Sequence, residues 1–276
     1  MTDAERGTAL QAIAAEIRVC TRCRLHESRA KAVPGEGNPD TEVVIVGEGP
    51  GRDENQAGRP FVGASGRLLT ELIESLGWQR DDVFITNVVK CWPPGNRDPS
   101  PDEIAACAPY LHRQLEVLDP AVVVTAGKHS LGVFMPGDRI SRVHGTARPA
   151  DPATGARDAL VFAMYHPAFA LYDGSNRSTL FTDIQGLPTT LEAARARRTA
   201  GQPEAGSAAE AAAAAGGLEG QTQAEAAEML GLLDAPVVAP DEPSVTSQPA
   251  DASQLVAATA GSGSEADPDA DQLTLF

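Results

Sequence analysis

Basic residues are missing from the last 76 positions: residues 201–276 contain no Lys or Arg. That stretch holds 13 of the 38 acidic side chains, so residues 1–200 carry all 22 bases against 25 acids, a formal charge of −3. The overall charge of −16 therefore describes mainly a tail. It does not exclude a nucleic-acid partner for the rest, because phosphate binding draws on local Lys and Arg. Aromatics are scarce at 4%, and the one beyond residue 200 is the final Phe276. A segment rich in Ala, Gly, Glu, Ser, Pro and Gln buries too little apolar surface to offset its ordering entropy. The expected organisation is a folded domain over 1–199, a disordered acidic linker over 200–270, and a terminal peptide over 271–276.

No apolar run approaches the ~20 residues that span a bilayer, so no membrane partner is expected. The opening Met1-Thr2-Asp3-Ala4-Glu5 is not a secretory leader pattern. Cysteine is nearly absent: Cys20, Cys23, Cys91 and Cys107 are the four in 276 residues. A small secreted domain would spend them on disulfides, but a chain of this length has apolar residues enough for a core. A reducing, cytoplasmic location is expected. Cys20 and Cys23 form a C-x-x-C, and Cys91 opens the run Cys91-Trp92-Pro93-Pro94-Gly95-Asn96-Arg97. Four thiols so paired can close around one metal centre, a Cys₄ zinc or a [4Fe–4S] cluster. A redox C-x-x-C and simple buried thiols are the alternatives.

The remaining pattern alternates strand and helix. Apolar spacing at Leu10, Ile13 and Ile17 predicts an amphipathic helix over 4–18, with Asp3 as its N-cap. Strands are predicted at 42–46, 83–89, 121–125 and 160–165. Helices are predicted from Leu68 to Leu76 before Gly77, from the capping box Ser100-Pro101-Asp102-Glu103 to about Leu118, from Lys128, and over 191–198. The strands are continuously apolar, as in a parallel sheet buried on both faces. The fold class is therefore α/β: a three-layer α/β/α sandwich with a central four-stranded parallel sheet. Such sheets bind ligands beyond the carboxyl ends of their strands. Each unusual segment falls at such an end: Gly47-Glu48-Gly49-Pro50-Gly51, Asn87 with Lys90, Gly127-Lys128-His129-Ser130, and His166-Pro167-Ala168-Phe169.

The glycine run after the first strand is neither G-x-G-x-x-G, since Arg52 stands at the last position, nor a P-loop. It reads as a tight turn or as a close backbone approach to a ligand. Phe61, between Gly58 and Gly63, can be core or can face a planar ring. The Asn87 carboxamide offers a donor and an acceptor side by side, which matches a pyrimidine edge with adjacent N–H and C=O. His166 is suited to stabilising a developing anion.

Taken in order, Gly47–Gly51, Gly58-Arg59-Pro60-Phe61-Val62-Gly63, Asn87–Cys91 with Pro93–Arg97, His166-Pro167 and the cysteine spacing resemble a family four uracil-DNA glycosylase. This is the iron–sulfur branch of that superfamily, and the resemblance covers about residues 8–195. It implies a [4Fe–4S] cluster on Cys20, Cys23, Cys91 and Cys107, and it implies hydrolysis of the N-glycosidic bond of a flipped deoxyuridine. The implied catalytic residues are Glu48, Asn87 and His166. Uracil would lie among Gly47, Glu48, Gly49, Glu54, Phe61, Asn87 and His166, with Phe61 stacking on the base and Asn87 reading its edge. Glu54 would fill the space of a thymine methyl, and His166 would donate to O2. No Asp follows Gly47, so Glu48 or the backbone at Gly49 would hold the water.

Lys90, Arg97 and Lys128 are the expected phosphate contacts. Phe169 and Leu171 are the expected DNA-inserting residues, with Arg177 the next base after them. No basic insertion lies between Cys91 and Cys107, the feature by which one relative attaches covalently to uracil-DNA, and His144 lies elsewhere, so turnover is expected. Gln272, Leu273, Leu275 and Phe276 resemble the peptide by which bacterial repair proteins dock on the sliding clamp, here on a tether. The expected partners are uracil-containing DNA and the clamp, and a monomer is expected. The alternatives are a non-catalytic, clamp-tethered nucleic-acid-binding protein, or a glycosylase for another base such as hypoxanthine.

Overall fold

The computed structural model describes residues 1–172 and 174–201. The predicted linker beyond residue 201 and the terminal peptide lie outside the described residues. Six strands form one sheet: β1 (Glu36–Gly37), β2 (Val43–Gly47), β3 (Phe84–Asn87), β4 (Val122–Ala126), β5 (Ala147–Pro149) and β6 (Leu160–Met164). Their order is β1-β3-β2-β4-β6-β5. The four inner strands are mutually parallel, as the continuous apolar runs predict. The two edge strands are antiparallel additions that the sequence does not announce. At two and three residues they are too short to show a period, and one contains Pro149, which a sheet tolerates at its edge.

The helices are α1 (Asp3–Val19), α2 (Leu25–Ser28), α3 (Arg52–Ala57), α4 (Ala64–Glu74), α5 (Pro101–Leu118), α6 (Lys128–Phe134), α7 (Ile140–Val143), α8 (Phe169–Tyr172), α9 (Ser175–Ile184) and α10 (Leu187–Gly201). Side chains that alternate along each strand divide the core into two layers. Val44, Val46 and Val123 pack with Leu10, Ile13 and Ile17 of α1 and Leu111, Leu115 and Leu118 of α5. Val43, Ile45 and Val124 pack with Leu69 and Leu72 of α4, Leu180 of α9 and Leu191 of α10. Both faces are covered, which is why all five residues of β2, β4 and β6 are buried.

Local chemistry sets the starts of α1 and α5, with one change at α1, while α4 and α10 begin four residues earlier than the apolar spacing predicts. Thr2, not Asp3, caps α1, and its N–H donates to the Glu5 carboxylate at 2.8 Å. At α5 the Ser100 N–H donates to Glu103 at 2.8 Å, as the capping box predicts. Helix α9 escapes prediction because only Leu180 and Ile184 of its ten residues are buried. No helix among the described residues is long and apolar enough to cross a membrane.

The connections after β2 lead first to β3 on one side and then to β4 on the other. Strand order therefore reverses between β2 and β4, the kind of switch point at which such sheets take ligands beyond their carboxyl ends. Gly47 and Asn87 end β2 and β3, and Gly127 and His166 follow the ends of β4 and β6.

Candidate active site

Gly47 ends β2 directly beside Asn87, which ends β3. A Cβ at Gly47 would stand 2.4 Å from Asn87 Oδ1 and 2.6 Å from Phe61 Cζ. The missing side chain is thus the space in which a carboxamide and an aromatic ring converge. Asn87 is 1% exposed, and its Oδ1 has no hydrogen-bond partner. A buried, unpaired acceptor costs free energy unless a ligand supplies the donor. Gly47→Ala is expected to fill this slot, since the backbone there suits any residue. Ligand turnover should fall about a hundredfold, and the melting temperature should fall as well, because the new Cβ forces the buried Asn87 and Phe61 to shift, as steady-state assay and thermal unfolding would report.

Phe61 is held in an unusual way. Its φ of +50° is left-handed, a conformation bulky residues rarely adopt. The Glu54 carboxylate, itself buried, accepts from the Val62 and Gly63 N–H groups at 2.8 Å each. At Gly66 in α4 a Cβ would stand 1.9 Å from the Phe61 carbonyl oxygen, so glycine alone lets the helix pass. Glu54 therefore acts visibly as a clamp on the segment that presents Phe61, a role the sequence does not reveal. Gly66 gives no signal in the sequence, because its constraint comes from a backbone packed across it.

His166 lies across from Phe61, with ring centroids 5.6 Å apart. The Ala168 N–H donates to its Nδ1 at 3.2 Å. Burial pushes the imidazole down to about 4, against the opposing pull of Glu54. At neutral pH the ring is uncharged, and with Nδ1 accepting, its single proton sits on Nε2. Gly127, with φ of +96°, brings the start of α6 against this loop, where a Cβ would stand 2.9 Å from His166 Cβ.

Glu48 follows Gly47 and is partly exposed. Its Oε2 lies 3.6 Å from His129 Nε2, which is in turn 3.1 Å from Asp98 Oδ2. Burial pushes the Glu48 carboxyl above its ordinary range, with His129 opposing and Asp98 reinforcing the rise. Nothing in the sequence announces Asp98 and His129 as neighbours of Glu48. The motif Gly127-Lys128-His129 drew attention to Lys128 instead, because proximity to Glu48 is created only by the fold.

The expected phosphate contacts fare differently from one another. Lys90 is corrected: it is 1% exposed and cannot reach solvent or DNA. Its ammonium donates to Thr86 Oγ1 at 2.6 Å and to Asn87 O and Gln114 Oε1 at 2.7 Å each. Burial pushes it down to about 8, so it remains largely charged at neutral pH. Arg97 stays partly exposed, but its fork grips the fully buried Glu103 at 2.7 and 2.8 Å. Lys128 is exposed and pairs with Asp98 at 3.0 Å. Phe169 and Leu171 are 39% and 46% exposed, two of the four large exposed apolar side chains among the described residues. The Phe169 ring stacks on Tyr165 with centroids 4.4 Å apart. Arg177 is ion-paired with Glu71 and lies over the Phe181 ring.

Cys20, Cys23, Cys91 and Cys107 are unbridged and line one cavity beside α1 and α5. Three of their sulfurs face N–H donors: the Arg22 backbone at 3.5 Å from Cys20, the Arg29 guanidinium at 3.2 Å from Cys91, and the Lys90 backbone at 3.3 Å from Cys107.

The sequence model described as "Uracil DNA glycosylase superfamily" matches residues 34–185, which include Gly47, Phe61, Asn87 and His166. The chain belongs to this superfamily. A type-4 uracil-DNA glycosylase of Sulfurisphaera tokodaii is 46% identical over 183 residues, covering 64% of this chain and 82% of the relative. One of Thermotoga maritima is 42% identical over 182 residues, covering 65% of this chain and 93% of the relative. A type-5 uracil-DNA glycosylase of Thermus thermophilus is 36% identical over 121 residues, covering 38% and 55%. Within the superfamily the chain is thus of type four, and its described domain spans most of the type-4 relatives' length.

Proposed function

We propose that this protein is a monofunctional uracil-DNA glycosylase that removes uracil from DNA by hydrolysing the N-glycosidic bond. The observation that carries the reading is the unpaired Asn87 Oδ1, buried where Gly47 leaves a slot against Phe61. Uracil N3–H would donate to that oxygen, and the carboxamide N–H₂ would donate to O4. Cytosine lacks the first proton and carries an amino group in place of O4, so it would leave both groups unmatched. Phe61 would stack on the base after it flips. Glu54, beside this segment, would help to bar the thymine methyl. The backbone at Gly49 would help to hold the attacking water.

As the C1′–N1 bond breaks, its electron pair departs on the base. The neutral His166 would donate from Nε2 to uracil O2, where that charge gathers. A water oxygen bonds to C1′, and Glu48, its carboxyl raised by burial, takes the water proton. Exposed Phe169 and Leu171 would enter the duplex beside the flipped nucleotide, and Lys128 and Arg97 would contact its phosphates.

The four cysteines line one cavity and would hold a [4Fe–4S] cluster, the centre that the resemblance to the type-four branch implies. N–H donors aimed at the sulfurs suit bound thiolates. When bound, the cluster would clip α1 to the segment that follows Asn87. The terminal Gln272, Leu273, Leu275 and Phe276 would tether a cytoplasmic, monomeric enzyme to the sliding clamp. Equal clamp affinity with and without residues 272–276 would refute that tether.

The test of function is direct. Uracil-containing single-stranded DNA is incubated with the protein, and abasic sites are then cleaved with alkali. Strand breaks at uracil and release of the free base are expected. Intact strands would leave a binding protein without catalysis.

A further inference from the structure

We propose that Lys90 is a positioning residue: it fixes the base-reading Asn87 from beneath and ties it to the cysteine centre. The inference rests on the glycosylase reading given above. Asn87 Oδ1 has no partner within the protein, so its aim must come from the backbone that carries it. Two bonds at its end hold that backbone beyond the β2–β3 ladder. Val88 N–H donates to Gly47 O at 2.9 Å, and Asn87 O accepts from Lys90 Nζ at 2.7 Å.

The ammonium has three protons and three oxygen partners, all neutral: Asn87 O, Thr86 Oγ1 and Gln114 Oε1. None of the ion pairs among the described residues involves Lys90, so its charge is buried without a carboxylate. Burying an ammonium in this way is costly, and a neutral residue of equal length would fill the space more cheaply. What a neutral residue cannot do is draw three oxygens to one point. Those oxygens come from β3, its last residue and α5. The frame is closed behind them, because Thr86 Oγ1 and Gln114 Nε2 both donate to Pro34 O, at 3.0 and 2.7 Å.

The main chain of Lys90 faces the other way. Its N–H donates to Cys107 Sγ at 3.3 Å, and its carbonyl accepts from Val33 N–H at 2.8 Å. One residue thus holds a cysteine of the centre through its backbone and the reading residue through its side chain. A disturbance at the cysteines has a two-bond route to the uracil slot.

Lys90→Met keeps the length of the side chain and removes its donors. Iron content, thermal unfolding, affinity for uracil-DNA and single-turnover excision are measured for this variant, the parent and Leu72→Ala. Leu72 is a fully buried core residue outside the site, so its variant controls for lost stability. The expected result is parent iron content, near-parent DNA affinity and excision slower by about a hundredfold, with Leu72→Ala excising at the parent rate. Excision at the parent rate by iron-replete Lys90→Met overturns the proposal, as does an equal loss in Leu72→Ala. Should Lys90→Met lose its iron, Thr86→Val decides: a loss of about tenfold with full iron supports the proposal, and the parent rate overturns it. Failure of the parent itself to excise uracil refutes the functional reading, a result distinct from an active parent with an equally active Lys90→Met.

Discussion

Asn87→Ala is expected to lower single-turnover excision of uracil by about three orders of magnitude while the protein keeps its fold. The side chain ends β3 with its oxygen buried and unpaired, so the free enzyme already bears the cost of that desolvated acceptor. Deleting it removes the cost and stabilises, or leaves unchanged, the empty protein. Uracil, in contrast, loses partners for N3–H and O4 and enters a slot that no longer answers its edge. Opposite signs for stability and activity distinguish a reading residue from a structural one. Thermal unfolding beside a single-turnover time course measures both. An Asn87→Ala protein that excises at the parent rate would remove this residue from the site.

His166→Ala is expected to slow excision by about 10²- to 10³-fold, the usual effect of losing one donor to a developing anion. The donor is preorganised: the Ala168 N–H occupies Nδ1, which leaves the proton on Nε2. The same burial has a consequence for stability. The imidazole is held down to about 4 in the folded protein, whereas an unfolded histidine titrates near its ordinary value of 6.5. Between those values the unfolded chain binds a proton that the folded chain refuses, so this group makes stability fall as pH drops through that window. The full effect is of order 3 kcal/mol. Unfolding measured from pH 7 to 4 should show the decline in the parent and a shallower one in His166→Ala. Parallel curves would show that His166 is not the group responsible.

Much of the site was legible because it depends on short stretches of chain. Gly47 before Glu48, Asn87 at the end of an apolar run, and His166 before Pro167 each announce a strand end, and parallel topology gathers such ends on one rim. The capping box at Ser100 and the stop at Gly77, whose φ is +76°, are likewise local rules obeyed. Lys90 departs from its expected role for a related reason. A lysine beside a strand end looks like a phosphate contact when only its neighbours are known.

The sequence by itself determined the parallel sheet, the helices that cover it and the residues delivered to its carboxyl edge. Those follow from periodicity, caps and turns, which act over a few residues. Tertiary structure alone decided which of those residues face a ligand and which face the core. Lys90 is buried because Thr86, Gln114 and, behind them, Pro34 converge on it. Arg97 is engaged because Glu103 is sealed beneath it. Phe61 takes its strained pose because Glu54 and Gly66 press it from two sides. Burial and hydrogen-bond partnership are properties of distant segments brought together, and no window of sequence contains them.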